Sequence, residues 1–362
     1  MKKPLRYLLF VIYLLIVAAL SMEAMLRTEA MSPTFDLFGE KIILDRDVLY
    51  RFKGYSSPEI NGDGYRDHEF MPRTGGRGLC LFAGDSFTMG LNVPAAHTIP
   101  KELELRLANT DVYNMGLHGY GPDQSFLRLL EEGLALNPDR VILGLYPAND
   151  FSDLVKNHLF EIGAAGELRR TRSNPVTEHV PALQVHYFLQ FLRYRAMIRN
   201  SNSSTFNYVF SDNSGSGEAF FELFRILFAD TIDLEFLLDP DAPMSRGKYE
   251  LMSAVLERYR DELEQRGIMF LVVVIPSYNT IVDDSRFRNQ NVPADRYFGY
   301  EDAAVAICDE LGIDCLNLYP QMTAVEPKDV LFNDADQHLT AVGTAFAAEA
   351  IREHLDRPAH RR

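Results

Sequence analysis

Five short apolar runs mark the chain, at residues 79–83, 112–114, 141–146, 269–275 and 315–318. Their apolar residues come largely without alternation, the pattern of strands covered on both faces of a parallel sheet. Between them the apolar spacing changes to the helical period. Residues 99–107 and 123–136 each present one apolar face. Residues 248–265 form a longer amphipathic stretch with Leu251, Val255, Leu256, Tyr259 and Leu263 on one side, and Gly267 is its stop. A last helix is expected over 341–355 behind Thr340, a residue suited to an N-cap. Strands alternating with helices predict a parallel sheet with helices on both faces, and ligands in such sheets meet the carboxyl ends of the strands.

Two stretches stand outside this alternation. Residues 7–22 carry no charge, no Gly and no Pro, and follow the basic start MKKPLR. This reads as an export signal whose helix stays as a membrane anchor. The uncharged run of 16 residues is slightly short of the roughly 17–25 that span a bilayer. Ala19-Leu20-Ser21 keeps cleavage and secretion open as the alternative. In both cases the remainder of the chain is expected on the exported side. The second stretch, 154–244, separates the third and fourth apolar runs. Two aromatic-rich helical segments, 183–198 and 219–228, flank a Ser-, Asn- and Gly-rich middle at 200–217. Their apolar faces are expected to pack on the core, with a lid or membrane-facing cap as the functional alternative. Arg193, Arg195 and Arg199 would suit anionic headgroups or a solvated face. The expected organisation is a signal or anchor at 1–26 and an extension at 27–75. A first catalytic part at 76–153, a helical insertion at 154–244 and a second catalytic part at 245–358 follow.

Composition narrows the function. Lys and Arg number 36 against 51 Asp and Glu, a formal charge of −15 over 362 residues. An acidic chain repels phosphate backbones, so nucleic acid is not the expected partner. The three cysteines include no metal-type pair. Cys80 sits in an apolar run as an inert core residue. Cys308 and Cys315 flank a helix-to-strand turn and read as two buried thiols, although an exported location would permit them to pair.

Candidate chemistry falls after successive apolar runs. Gly84-Asp85-Ser86 follows the first, and a Ser at such a turn stands at the sheet's carboxyl edge. Asn114-Met115-Gly116 follows the second, where Gly116 lets the backbone approach a ligand. Ala148-Asn149-Asp150 follows the third, and the Asn149 amide can donate to a developing oxyanion. Asp334-Ala335-Asp336-Gln337-His338 lies between the fifth run and the last helix, with carboxylates close to a histidine.

Ser86, Gly116, Asn149 and His338, in this order, resemble the four signature residues of the SGNH/GDSL hydrolase superfamily. The resemblance covers roughly residues 61–355 and leaves the insertion poorly matched. Residues 61–67, Asn-Gly-Asp-Gly-Tyr-Arg-Asp, look like a segment of membrane-anchored, exported members, which include proteins linked to cell-surface polysaccharides. Two positions depart from the family pattern. Pro147 stands where the third block usually has Gly, and Ala335 stands where the triad Asp usually lies, three before the His. The candidate acids are Asp336, whose Asp-x-His spacing is similar to relatives of alginate O-acetyltransferases, and, second, Asp334.

The resemblance implies a flavodoxin-like α/β/α fold of about five parallel strands and catalysis without a cofactor or an obligatory metal. It implies Ser86 as nucleophile, His338 as base, Asp336 as triad acid, and the Ser86 N–H, Gly116 and Asn149 as the oxyanion hole. The expected activity is hydrolysis of an ester on an acylated carbohydrate or lipid through an acyl-serine. The alternatives are an envelope polysaccharide O-acetyltransferase and a non-catalytic binding module on the same scaffold.

Overall fold

A computed structural model of the chain describes residues 3–26, 35–37, 40–45, 47–73, 76–171 and 234–357. The two aromatic segments expected at 183–198 and 219–228, the polar middle at 200–217, and Arg193, Arg195 and Arg199 lie outside the described residues. Helix α1 (Lys3–Leu26) opens the chain, and its large apolar side chains from Tyr7 to Val17 and at Leu20 are exposed. The sequence reading expected a membrane-spanning helix here. Among the described residues, no helix is long and apolar enough to cross a membrane.

Strands β1 (Phe35–Leu37), β2 (Glu40–Asp45) and β3 (Leu49–Phe52) then form a small antiparallel sheet in that order. Their pattern is too short and mixed to be read from sequence. The sheet is tied to the main body through buried groups. The Tyr50 hydroxyl donates to the His118 carbonyl (2.6 Å), the Tyr120 hydroxyl to the Tyr50 carbonyl (2.6 Å), and the Gln124 amide to the Val48 carbonyl (2.7 Å).

The five apolar runs become β4 (Gly78–Gly84), β5 (Thr110–Gly116), β6 (Arg140–Leu145), β9 (Met269–Val274) and β10 (Asp314–Asn317). All pairings among them are parallel, in the spatial order β10-β9-β6-β4-β5. Renumbered within the sheet this is 2-1-3-4-5, the flavodoxin-like order. The direction of winding reverses beside β4, where crossovers leave to opposite sides and open a crevice at the carboxyl edge. A two-stranded hairpin of β7 (Phe160–Ile162) and β8 (Leu168–Arg170) stands apart from this sheet.

Alternate residues of each strand enter two separate cores. Leu79, Leu81, Val141, Leu143, Val272 and Val274 face one side, with Leu256 and Tyr259 of the helix Pro243–Glu264 and Ile307 of the helix Gly299–Leu311. Cys80, Phe82, Ile142, Leu271 and Val273 face the other, with Leu103 and Ile351. Leu103 lies on a helix, Ile99–Arg106, capped by Thr98, and Ile351 on the helix Ala341–Leu355, capped by Thr340. Two apolar faces per strand explain why the runs lack alternation. The expected helix at 123–136 is subdivided into an α-helix at Pro122–Arg128, a π segment at Leu129–Gly133 and a 3-10 turn at Leu134–Leu136. Cys80, Cys308 and Cys315 are all free thiols. A hydrogen bond with the neighbouring Cys315, together with burial, pushes the Cys308 thiol up.

Candidate active site

The nucleophile turn is built by glycine at one position and by a carboxylate at the next. Gly84 ends β4 at φ +151°, and a Cβ there would fall 2.3 Å from Thr88 Oγ1 and 2.8 Å from the Gly144 carbonyl oxygen. Only glycine lets the strand turn so tightly against its neighbour. Asp85 caps the single helical turn Ser86–Met89 (α2), its side chain accepting from the Phe87 N–H at 2.9 Å. Burial raises the Asp85 carboxyl to about 7, the cap bond opposing and the charge of Asp153 adding. Ser86 is the first residue of α2 and is 6% exposed, at the carboxyl edge of the sheet.

His338, the candidate base, arrives on a tight turn between β10 and the last helix. A bridge between Phe332 and Leu339 closes it. Within it, the Asn333 N–H donates to the His338 carbonyl (2.8 Å), the Gln337 N–H to the Asn333 carbonyl (2.7 Å), and the Ala335 N–H to Asn333 Oδ1 (2.9 Å). His338 Nε2 lies 2.8 Å from Ser86 Oγ. That is hydrogen-bonding distance for a nucleophile and its general base. The Phe87 ring lies against the imidazole, centroids 4.7 Å apart, and stacks on Tyr146 at 4.2 Å. Burial lowers the His338 pKa from its ordinary value, with the Asp336 charge opposing, which favours the neutral ring.

The candidate triad acid, Asp336, meets the ring in an unexpected way. His338 Nδ1 is 3.0 Å from the backbone carbonyl oxygen of Asp336 and 3.8 Å from its carboxylate Oδ1. That carboxylate oxygen instead accepts the His338 backbone N–H at 3.2 Å. The carbonyl is thus the group that fixes the tautomer, holding the proton on Nδ1 and leaving Nε2 to accept from Ser86. Asp336 is beside the base as expected, but its carboxylate acts on the ring through space. Asp334, the alternative acid, accepts a hydrogen bond from the Tyr278 hydroxyl at 2.9 Å.

The oxyanion candidates separate in the same way. The Gly116 N–H donates to Asn114 Oδ1 at 3.0 Å, so it has no hydrogen left for a substrate. Its glycine is needed for packing, because a Cβ would fall 2.3 Å from the Met89 nitrogen on α2. In this structure the N–H expected to serve an oxyanion is engaged by Asn114. Further along that loop, Gly119 turns at φ +73°, and its N–H makes no hydrogen bond among the described residues. Its loop is held to the nucleophile strand by the Leu117 N–H, which donates to the Gly84 carbonyl (3.1 Å). Asn149 lies in the first turn of the helix Pro147–Asn157, after β6. Pro147, the departure from the family pattern, occupies the first position of that helix, where proline's missing N–H costs nothing. Asn149 Oδ1 is buried without a hydrogen-bond partner.

A second set of residues braces the turn and went unread in the sequence beyond its Gly-rich character. Within residues 61–67, Asn61 Oδ1 accepts from the Asp63 and Tyr65 N–H groups, which curls the segment. Arg66 then donates to the carbonyls of Gly90 (2.5 Å) and Val93 (2.7 Å), just beyond α2. Asp67 Oδ2 accepts from the Asn114 N–H at 2.8 Å. The segment thus holds the nucleophile turn and the β5 loop together.

Among the described residues, no group of three His, Cys, Asp or Glu side chains is arranged to hold a metal ion. A family model described as an SGNH hydrolase-like domain, acetyltransferase AlgX, matches residues 233–361. The match takes in Asp334, Asp336 and His338 and begins beyond Ser86, Gly116 and Asn149. The C-terminal part of the chain is therefore SGNH hydrolase-like, in agreement with the resemblance carried by the four motifs. Among solved structures, the chain is similar to a lipase/acylhydrolase from Enterococcus faecalis, with 14% identity, 77% of this chain and 95% of that one covered, and a TM-score of 0.41. It is also similar to an acetyl-xylooligosaccharide esterase from Geobacillus Stearmophilus, with 12% identity, 80% and 99% covered, and a TM-score of 0.40. No curated protein matches the chain.

Proposed function

We propose that the protein is a serine ester hydrolase that acts on an acylated carbohydrate or lipid. The observation that carries this reading is the 2.8 Å contact between Ser86 Oγ and His338 Nε2 at the carboxyl edge of the sheet. His338 Nε2 takes the Ser86 proton as Oγ attacks the ester carbonyl. The resulting oxyanion is stabilised by the Ser86 N–H and the Asn149 amide. The bond to the alcohol then breaks, and the alcohol leaves with the proton held on Nε2. Water attacks the acyl-serine, gives its proton to His338, and releases the carboxylic acid while Ser86 regains its hydrogen.

Transfer of the acyl group to a sugar hydroxyl instead of water is the second reading. The acetyltransferase description of the family matched over 233–361 favours it. We read the apolar helix α1 as the membrane attachment of an exported protein. Its support is the exposure of Tyr7, Phe10 and Leu15 at 72%, 58% and 64%, a surface that water disfavours.

A fluorophosphonate probe should label Ser86, and Ser86→Ala should lower short-chain ester hydrolysis by at least ~10³-fold without unfolding the chain. Undiminished hydrolysis in that variant would remove Ser86 from its role. A folded wild-type protein that resists the probe would favour a non-catalytic scaffold. Acetyl transfer onto an added oligosaccharide, in place of free acetate, would favour the second reading.

A further inference from the structure

Asp334 lies four residues before His338 and makes no hydrogen bond to it. It shares the 333–338 turn with His338 and is exposed, yet its Oδ1 is held by the Tyr278 hydroxyl at 2.9 Å. Tyr278 follows β9 at the same sheet edge, and its ring meets Phe332, at the base of the His338 turn, edge-on with centroids 6.1 Å apart. Burial first, then Asp334, then the charges of Asp283 and Asp329 hold the phenol above its ordinary value, so it remains a donor. The other Asp334 oxygen has no partner among the described residues.

We propose that Tyr278 and Asp334 form the subsite that recognises the alcohol portion of the ester, a hydroxyl-rich and uncharged group such as a sugar ring. This inference rests on the reading of Ser86 and His338 as nucleophile and base. In acyl transfer the departing alcohol oxygen must lie beside His338 Nε2 to receive its proton, so groups on the histidine turn face the alcohol, while the oxyanion donors face the acyl carbonyl. A carboxylate has two acceptor oxygens and no donor, which suits the hydroxyls of a polyol. The tyrosine ring offers an apolar face for the C–H side of a sugar, with its hydroxyl already committed. Asp283, Asp329 and Asp334 together make the subsite negative, so an alcohol carrying a carboxylate or phosphate is repelled there.

The test uses the full chain and three esters: 4-nitrophenyl acetate, which has no sugar, methyl 6-O-acetyl-glucopyranoside, and an acetylated methyl glucuronide. For Tyr278→Phe and Asp334→Asn, kcat/KM for the glucoside relative to 4-nitrophenyl acetate is expected to fall about tenfold, chiefly through KM, the size of one lost hydrogen bond. The wild type should prefer the glucoside to the glucuronide, and Asp334→Asn should narrow that preference. An unchanged ratio in both variants overturns the subsite. So does a wild type that cleaves 4-nitrophenyl acetate but not the glucoside. A wild type inactive on all three esters overturns the Ser86 reading itself, and this inference with it.

Discussion

His338 meets one neighbour, Asp336, through two different groups, and the two have separable consequences. The backbone carbonyl at 3.0 Å fixes the tautomer, whereas the carboxylate at 3.8 Å contributes charge. Asp336→Asn removes the charge and keeps the carbonyl. The loss of activity should therefore fall well short of the roughly 10⁴-fold that follows when a triad aspartate alone holds the tautomer. The sign of the pH effect follows from burial, which already lowers the His338 pKa, and from Asp336, which opposes that lowering. Without the carboxylate the ring protonates at still lower pH. The acid limb of kcat/KM should move to lower pH in the variant, as a pH–rate profile will report. A shift to higher pH, or a full 10⁴-fold loss, would mean that the carboxylate carries the ring after all. Ser86, Asn149 and His338 were legible in the sequence because each follows an apolar run at the edge where ligands meet such sheets. The bond that engages the Gly116 N–H was not, because a hydrogen bond to Asn114 leaves no trace in spacing. Nor can spacing tell a carboxylate from the carbonyl of the same residue.

At the scale of elements, the nucleophile turn owes its position to a segment remote in sequence. Arg66 fills the carbonyls of Gly90 and Val93 and pairs with Glu59 at 2.5 Å, its side chain only 11% exposed. Arg66→Ala leaves those two carbonyls without this donor, at a cost of about 1–3 kcal/mol. If the segment positions the turn, the fluorophosphonate labelling rate of Ser86 per folded molecule should also drop, and Arg66→Lys should restore part of it. A lower Tm with an unaltered labelling rate would reduce the segment to a stabilising role. The sequence disclosed a Gly-rich turn here and nothing of its partner, because the contact joins residues of two different elements. The helix at 123–136 shows a related limit: its apolar face was legible, its change of winding at Leu129 was not.

Across the whole molecule, the parallel sheet was the most legible feature, since two-sided burial imprints itself on every strand. The small β1–β3 sheet was not, because its strands are short and its ties to the main body join residues far apart in sequence, such as Tyr50 and His118. Helix α1 stands apart in kind, an apolar surface that contributes no residue to the site. A chain lacking residues 1–26 should keep its ester hydrolysis and move from the membrane fraction to the soluble fraction after cell lysis. Retention of the shortened chain with membranes would place the attachment elsewhere.

The reacting hydroxyl and the imidazole that activates it are separated by 252 positions of chain. A growing or translocating polypeptide therefore presents its nucleophile long before its base, which comes only with the final hairpin and the helix that ends the fold. On the proposed mechanism, a polypeptide that stops short of His338 carries the nucleophile without its base.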